Sequence, residues 1–170
     1  RGTKMDDFKK YASLAKKGDT AAFAELYSLV YKDMYYIALY SLRNSHDASD
    51  AVSDAVADAF CSIGNLRNEK AFRQWIMKIL SAKIKRKQRE YANSSIEYDE
   101  LLMDSGEFDF ESVELKEALE SLDSESRTIL SMSVLGGYTS EEIADICKIK
   151  ASTVRSKLSR IKERLRLILA

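Results

Sequence analysis

Residues 138–165 read YTSEEIADICKIKASTVRSKLSRIKERL, and this pattern predicts two short helices joined by a tight connection. Thr139 suits the N-cap of the first helix, with Glu142 three residues on to complete a capping box. Ile143, Ala144, Ile146 and Cys147 give that helix an apolar side. Lys148 to Lys150 form a polar connection, and Ile149 within it plugs the angle between the helices. The second helix carries Val154, Leu158, Ile161, Leu165 and Ile168 at alternating spacings of four and three, which is one apolar stripe. Arg155, Lys157, Arg160, Lys162, Arg164 and Arg166 avoid that stripe, as do Ser152, Thr153, Ser156 and Ser159. A helix packed on one face, and basic and hydroxyl-bearing on the other, suits a helix-turn-helix reader of the major groove. A solvated surface helix presents the same basic face; the capped helix before it and the short connection favour DNA.

Outward from this motif, the chain has 170 residues and no proline. It is poor in glycine and rich in good helix formers, so helix is expected throughout. No apolar run is long enough to span a bilayer and no stretch reads as a signal peptide. Arg1-Gly2-Thr3 reads either as an added remnant or as a trimmed start. Cys61 and Cys147 lie far apart on apolar helix faces, which predicts two buried thiols and a cytoplasmic protein.

The net charge of zero conceals a division. Residues 1–89 hold 17 basic and 10 acidic side chains, residues 90–126 hold 1 and 13, and residues 127–170 hold 9 and 4. Two basic blocks around an acidic one suggest two nucleic-acid-facing modules with a linker that avoids nucleic acid.

The first block predicts four helices. One spans 5–17, with Phe8, Tyr11, Leu14 and Ala15 on one side and Gly18 ending it. The second runs from Ala21 to Arg43, capped by Asp19 or Thr20, with a broad apolar face that includes Tyr27 and Tyr31. After the break at Asn44-Ser45-His46, the third runs from Asp47 to Ile63. Its inward line of Ala48, Ala51, Val52, Ala55, Val56, Ala59 and Phe60 lets a neighbour approach closely. Asp47, Asp50, Asp54 and Asp58 lie on its other side, either as a solvated face or as a docking stripe for a basic partner. Gly64 to Lys70 reads as a loop. The fourth helix runs from Ala71 to Glu90, with Phe72, Trp75, Ile76, Ile79, Leu80 and Ile84 inward and a strongly basic exposed side. Residues 91–112 are acidic and aperiodic, a flexible linker. Helix resumes near Val113, continues from Ser124 to Leu135, and leads through Gly136-Gly137 into the motif. The expected fold is all-α: domain 1–90, linker 91–112, and a helix-turn-helix domain 113–170.

Two groups of stretches carry a family resemblance. GDTAAFAELYSLVYKDMYYIAL, DASDAVSDAVADAF and FRQWIMKIL resemble the first domain of extracytoplasmic-function sigma factors. ALESLDSESRTILSMSVLGGYTSEEIADICKIKASTVRSKLSRIKERL resembles their second domain. The resemblance implies a sigma region 2-like domain, a region 4-like domain, and a function in binding core RNA polymerase, selecting promoters and opening them. It assigns Asp47, Asp50 and Asp54 to docking on the polymerase clamp helices. It assigns Leu66, Arg67, Asn68, Arg73, Trp75 and Lys78 to the −10 element, where an unstacked base is held in a pocket. It assigns Ser152, Thr153, Arg155, Ser156, Lys157, Ser159 and Arg160 to the −35 element, with the second domain near the polymerase flap. An anti-sigma factor is the further partner it implies, holding the two domains together and covering the docking row, the DNA faces, or both.

This sequence departs from the family where Ser53-Asp54 stands for Gln-Glu, Ala82 for an asparagine, Asp123 for a proline and Lys150 for a serine cap. Those changes bear on −10 base preference more than on role. No phosphate-binding glycine loop, acid–base set or metal set is present, so neither catalysis nor a cofactor is expected, and no membrane contact. Two other readings fit the residues: a helix-turn-helix regulator acting without polymerase, and a protein-binding helical adaptor.

Overall fold

The structure, a computed structural model, describes residues 2–94, 117 and 119–169. Four helices form the N-terminal domain: α1 (Gly2–Lys16), α2 (Thr20–Leu42), α3 (Ser45–Ser62) and α4 (Phe72–Asn93). Among the described residues, α5 (Ser124–Val134), α6 (Ser140–Cys147) and α7 (Ala151–Leu169) belong to the C-terminal domain. The expected linker from residue 95 onward, and the helix start near Val113, lie outside the described residues.

Helix boundaries follow local chemistry. Gly18 takes φ +96°, so the chain turns after α1 without the steric penalty a side chain would bring. Asp19 then caps α2, its carboxylate accepting from the Ala22 N–H at 3.0 Å. Asn44 caps α3 through the Asp47 N–H at 2.9 Å, and Asp123 caps α5 through Ser126 N–H at 2.7 Å. Each satisfies an orphan donor of a helix start, worth about 1 kcal/mol.

The N-terminal core is built on α2 and α4. Leu26, Met34, Ile37 and Leu42 of α2 meet Phe72, Ile76, Leu80 and Ile84 of α4, all fully buried. Phe72 stacks on Phe8 of α1, with ring centroids 6.1 Å apart, and meets Phe23 edge-on. α3 closes on both helices through Ala48, Ala51, Ala55 and Ala59, each 0% exposed, whose small size permits the approach.

The inward line of α3 steps by three or four from Ala48 to Ala59, and Ile63 takes the next place. Phe60 and Cys61 therefore fall outside it. Phe60 is 48% exposed and meets Phe23 in a T-shaped ring contact, and Cys61 is an exposed thiol, not a buried one. The Gly64–Lys70 stretch is not a plain loop: two 3-10 turns, Ile63–Asn65 and Glu69–Ala71, flank it. α4 also runs one turn past its expected end, to Asn93.

In the C-terminal domain the capping box forms as expected. Thr139 Oγ1 accepts from the Glu142 N–H at 3.1 Å, and Glu142 accepts from the Thr139 N–H at 2.9 Å. Lys148 ends α6 in the left-handed region, φ 58°, and Ile149 packs half-buried in the angle. Val154, Leu158 and Ile161 are buried, but the stripe fades at its end, with Ile168 40% exposed.

The two domains pack against each other, α5 on α2 and α6 on α4. Buried residues of both form one continuous apolar cluster. At the seam, Ser81 Oγ lies 3.8 Å from Cys147 Sγ, which is itself 3.6 Å from Met132 Sδ. Gln88 Nε2 reaches the carbonyls of Ser41 and Ser124 and the hydroxyl of Thr128, each at 3.3 Å. Arg43, a non-glycine residue at φ 54°, is buried and pairs with Glu120 at 2.9 Å, tying the end of α2 to the chain before α5.

Candidate polymerase and nucleic-acid interfaces

The acidic row of α3 is partly neutralised from within. Asp47 is half-buried and accepts from the Tyr91 hydroxyl. Lys87 of α4 stands 3.7 Å from Asp47 and 3.9 Å from Asp50, and His46 lies 3.7 Å from Asp50. Lys83 pairs with Asp58 at 2.6 Å. Asp54 is exposed and has no ion pair among the described residues. The row thus keeps its outer charge at Asp50 and Asp54, while Asp47 helps fix α3 to α4.

The loop residues divide. Arg67 and Asn68 are exposed, and Asn68 also caps the following turn, accepting from Lys70 N–H at 3.1 Å. Leu66 is 3% exposed. It anchors the loop in the core, so its part in any DNA contact is to position Arg67 and Asn68. The loop is braced further by Lys16 on Glu69 at 3.2 Å. Backbone hydrogen bonding, with the Lys16 contact added, holds the Glu69 carboxyl below its usual range.

On α4, Trp75 is half-buried with its ring 5.9 Å from Phe72, partly an anchor and partly open. Arg73 and Lys78 are turned to the other domain. The Arg73 guanidinium lies 4.0 Å above the Tyr138 ring, donates to the Gly136 carbonyl, and stands 3.8 Å from Asp33. Lys78 pairs with Asp145 of α6 at 2.9 Å, and Gln74 donates to the same carboxylate. The Lys78 hydrogen bond is the main reason the Asp145 carboxyl is held below its usual range. Burial pushes the Tyr138 hydroxyl well above the ordinary tyrosine range. A Cβ on Gly136 would come within 2.6 Å of the Tyr138 ring, so only glycine lets that ring sit under Arg73.

On α7, Ser152, Arg155, Ser156, Ser159 and Arg160 are exposed, and Thr153 and Lys157 half-buried. Arg155 pairs with Glu141 at 3.0 Å, which orients it along the start of α6. Lys157 lies 3.4 Å from Glu125 and 4.0 Å from Asp123. Burial pushes the Asp123 carboxyl up, but the Ser126 hydrogen bonds and nearby Lys157 outweigh it, and the net shift is downward. The basic face of α7 is therefore outward, opposite the stripe that packs.

The expected −10, −35 and docking residues thus lie on α4 with its loop, on α7 and on α3. Gln74, Tyr138 and Asp145, which bind the domains together around Arg73 and Lys78, are not among the expected residues, nor is Asp33, which faces Arg73 from α2; nothing in the spacing of the interdomain partners signals a contact across more than sixty residues. Among the described residues no cluster of three or more His, Cys, Asp or Glu can hold a metal, and no helix is long and apolar enough to cross a membrane.

Residues 26–94 match the family described as Sigma-70 region 2, and residues 112–165 match Sigma-70, region 4. The chain is similar to RNA polymerase sigma factor SigV of Bacillus subtilis, 29% identical over 80% of this chain and 84% of that one. It is also similar to the ECF RNA polymerase sigma factor SigW of the same organism, 27% identical over 93% and 94%. In fold it resembles CnrH, solved in complex with the cytosolic domain of CnrY, with a TM-score of 0.71 and 18% identity over 96% of this chain and 97% of that one. The sigma factor RpoE of Bartonella quintana, solved with the anti-sigma factor NepR, gives the same TM-score at 21% identity over 86% and 96%. With both sigma regions in order on one helical fold, the chain belongs to the extracytoplasmic-function sigma factors of the sigma-70 family.

Proposed function

We propose that this protein is an alternative sigma factor that binds core RNA polymerase, recognises −35 and −10 promoter elements and promotes DNA opening. The observation that carries the reading is the ordered pair of sigma regions, the second ending in a capped helix-turn-helix with an outward basic helix. Its working units are the N-terminal domain, whose last helix runs to Asn93, the acidic linker that follows it up to residue 112, and residues 113–170.

Asp50 and Asp54, with Asp47 behind them, form the docking edge for the polymerase clamp helices. Acidic side chains there set orientation and on-rate against a basic partner. Arg155, Ser156, Lys157, Ser159 and Arg160, with Ser152 and Thr153 at the helix start, take the −35 duplex. An arginine can contact guanine bidentately, worth about 1–3 kcal/mol of discrimination. Arg67, Asn68, Arg73, Trp75 and Lys78, on a loop held by Leu66, take the displaced −10 strand. Strand separation follows from capture of the open form, since binding shifts a pre-existing equilibrium toward the state it favours. The protein works in the cytoplasm, where the polymerase is, and an anti-sigma factor is its natural regulator.

The test is to overexpress the protein and map new transcript starts, then ask whether it comigrates with core polymerase. The reading expects a shared −35/−10 pair upstream of the new starts. New binding sites without new starts would favour a regulator that acts without polymerase.

A further inference from the structure

Lys9 and Lys16 of α1 stand beside the loop read as the −10 site. α1 packs on the Glu69–Ala71 turn, and Lys16 Nζ meets the Glu69 carboxylate there at 3.2 Å. Lys9 acts on the same group: backbone hydrogen bonding and the Lys16 contact hold the Glu69 carboxyl below its usual range, and the Lys9 ammonium adds to them through space. At about 100° per residue, Lys9 and Lys16 share one side of the helix to within about 20°, and Lys10 lies about 100° further round. Lys10 sits over the Tyr11 ring, 5.4 Å from its centroid. Lys9 is exposed, as are Arg67 and Lys70 in the loop. Rings join the two elements, since Phe8, next to Lys9, stacks on Phe72, and the Phe72 ring lies 5.9 Å from Trp75. Lys16, in the last turn of α1, suits the helix dipole. Lys9 lies two turns earlier, beyond the reach of that effect.

We propose that α1 belongs to the single-strand site: Lys9 and Lys16 hold the phosphate backbone of the displaced strand while its bases turn to Trp75 and the loop. The inference rests on the reading of that loop as the −10 site. The two lysines leave the helix about 10 Å apart along its axis, so each takes its own phosphate. Lys9, Lys16, Arg67 and Lys70 are four cations around one carboxylate, Glu69, so the patch keeps a net attraction for a polyanion. When a phosphate arrives, Lys16 exchanges the Glu69 carboxylate for it, one oxyanion for another. Phosphate contacts carry no sequence information; they fix where the strand lies. α1 therefore sets the path of the strand, and Asn68 and Trp75 its choice of base.

Lys9→Gln with Lys16→Gln tests this in holoenzyme assembled from core polymerase and the full chain. Glutamine at position 16 still donates to Glu69, and a circular-dichroism melt verifies the fold. Lys9→Gln alone, at an exposed site, leaves the Lys16–Glu69 brace untouched. Lys10→Gln with Lys32→Gln removes the same charge from exposed sites off the row and is the control. The probe is a fluorescein-labelled single-stranded oligonucleotide carrying the non-template −10 region of a promoter that the wild-type holoenzyme transcribes, titrated across a range of salt. The proposal expects the double variant to bind it about tenfold more weakly, roughly threefold per ammonium. The slope of log affinity against log salt should become shallower by about 1.4, and by about half that for Lys9→Gln alone. The control, and the affinity of the double variant for −35 duplex, should stay within about twofold of wild type. An equal loss in the control, an unchanged slope, or weaker core binding that accounts for the loss would overturn the proposal, the last by placing the row on the polymerase. A wild-type holoenzyme that yields no specific transcript would sink the sigma reading and this inference with it. A transcribing wild type whose double variant matches the control would sink the inference alone.

Discussion

Reversing Asp50 and Asp54 together, Asp50→Lys with Asp54→Lys, separates docking from folding. In the free protein the cost is small. Asp50 is 51% exposed and its contact with Lys87 is 3.9 Å long, while Asp54 has no ion pair among the described residues. Solvent screens such contacts, and exposed pairs contribute about 0–1 kcal/mol. The new lysines will crowd Lys87, so a fall of about 1 kcal/mol is expected, a few degrees in Tm. Against a basic polymerase surface the cost is larger. Close charge pairs across interfaces couple by about 1.5–7 kcal/mol, so two reversals at the low end remove about 3 kcal/mol. That is roughly a hundredfold in Kd. The assay is a titration of core polymerase against fluorescently labelled protein, with a melt of each free variant alongside. The loss should also shrink as salt rises, because the interaction is electrostatic. Affinity within about threefold of wild type, with the fold intact, would refute the docking role of the row.

Arg155→Ala with Arg160→Ala should lower transcription from −35-dependent promoters by about tenfold or more, with the melt unchanged because both side chains are exposed; retained transcription would remove these arginines from the −35 contact. Thr139→Ala removes the capping box and should destabilise the C-terminal domain by about 1 kcal/mol, read by thermal melt, with Thr139→Ser close to wild type. The two thiols should react at different rates with iodoacetamide at pH 8, followed by mass spectrometry. Cys61 is exposed, whereas burial pushes the Cys147 thiol up and so leaves less of the reactive thiolate at any given pH. Equal rates would show that the Cys147 seam is open in solution.

The parts legible in the sequence were those set by local periodicity and capping. The Thr139–Glu142 box, the Val154–Leu158–Ile161 stripe and the alanine line of α3 depend on residues within one or two turns, and each formed as read. The errors lay where periodicity ends. At the close of α3 a short repeat does not say whether Phe60, Cys61 or Ile63 continues the inward line, and Ile63 does. Leu66 sits in an aperiodic segment, so its burial depends on the turn geometry around it. The charged residues of α4 read as one basic surface. Tertiary contact splits them: Lys83 and Lys87 serve α3, Arg73 and Lys78 serve the C-terminal domain. No local rule anticipates that division, since the partners come from separate helices and the pairing depends on how the domains meet. Arg43 is a similar case, an arginine in a left-handed position that glycine would usually fill, held by its backbone bond to Leu39 at 2.7 Å and by Glu120.

If this chain directs core RNA polymerase to promoters and opens them, it must do so with purified components. Single-round transcription with purified core polymerase, the protein, and a template carrying a mapped promoter tests it most directly. The expected result is a specific transcript that requires the protein, needs no nucleotide hydrolysis for opening, and falls with Arg73→Ala and Lys78→Ala. A protein that binds the template but yields no specific transcript would contradict it.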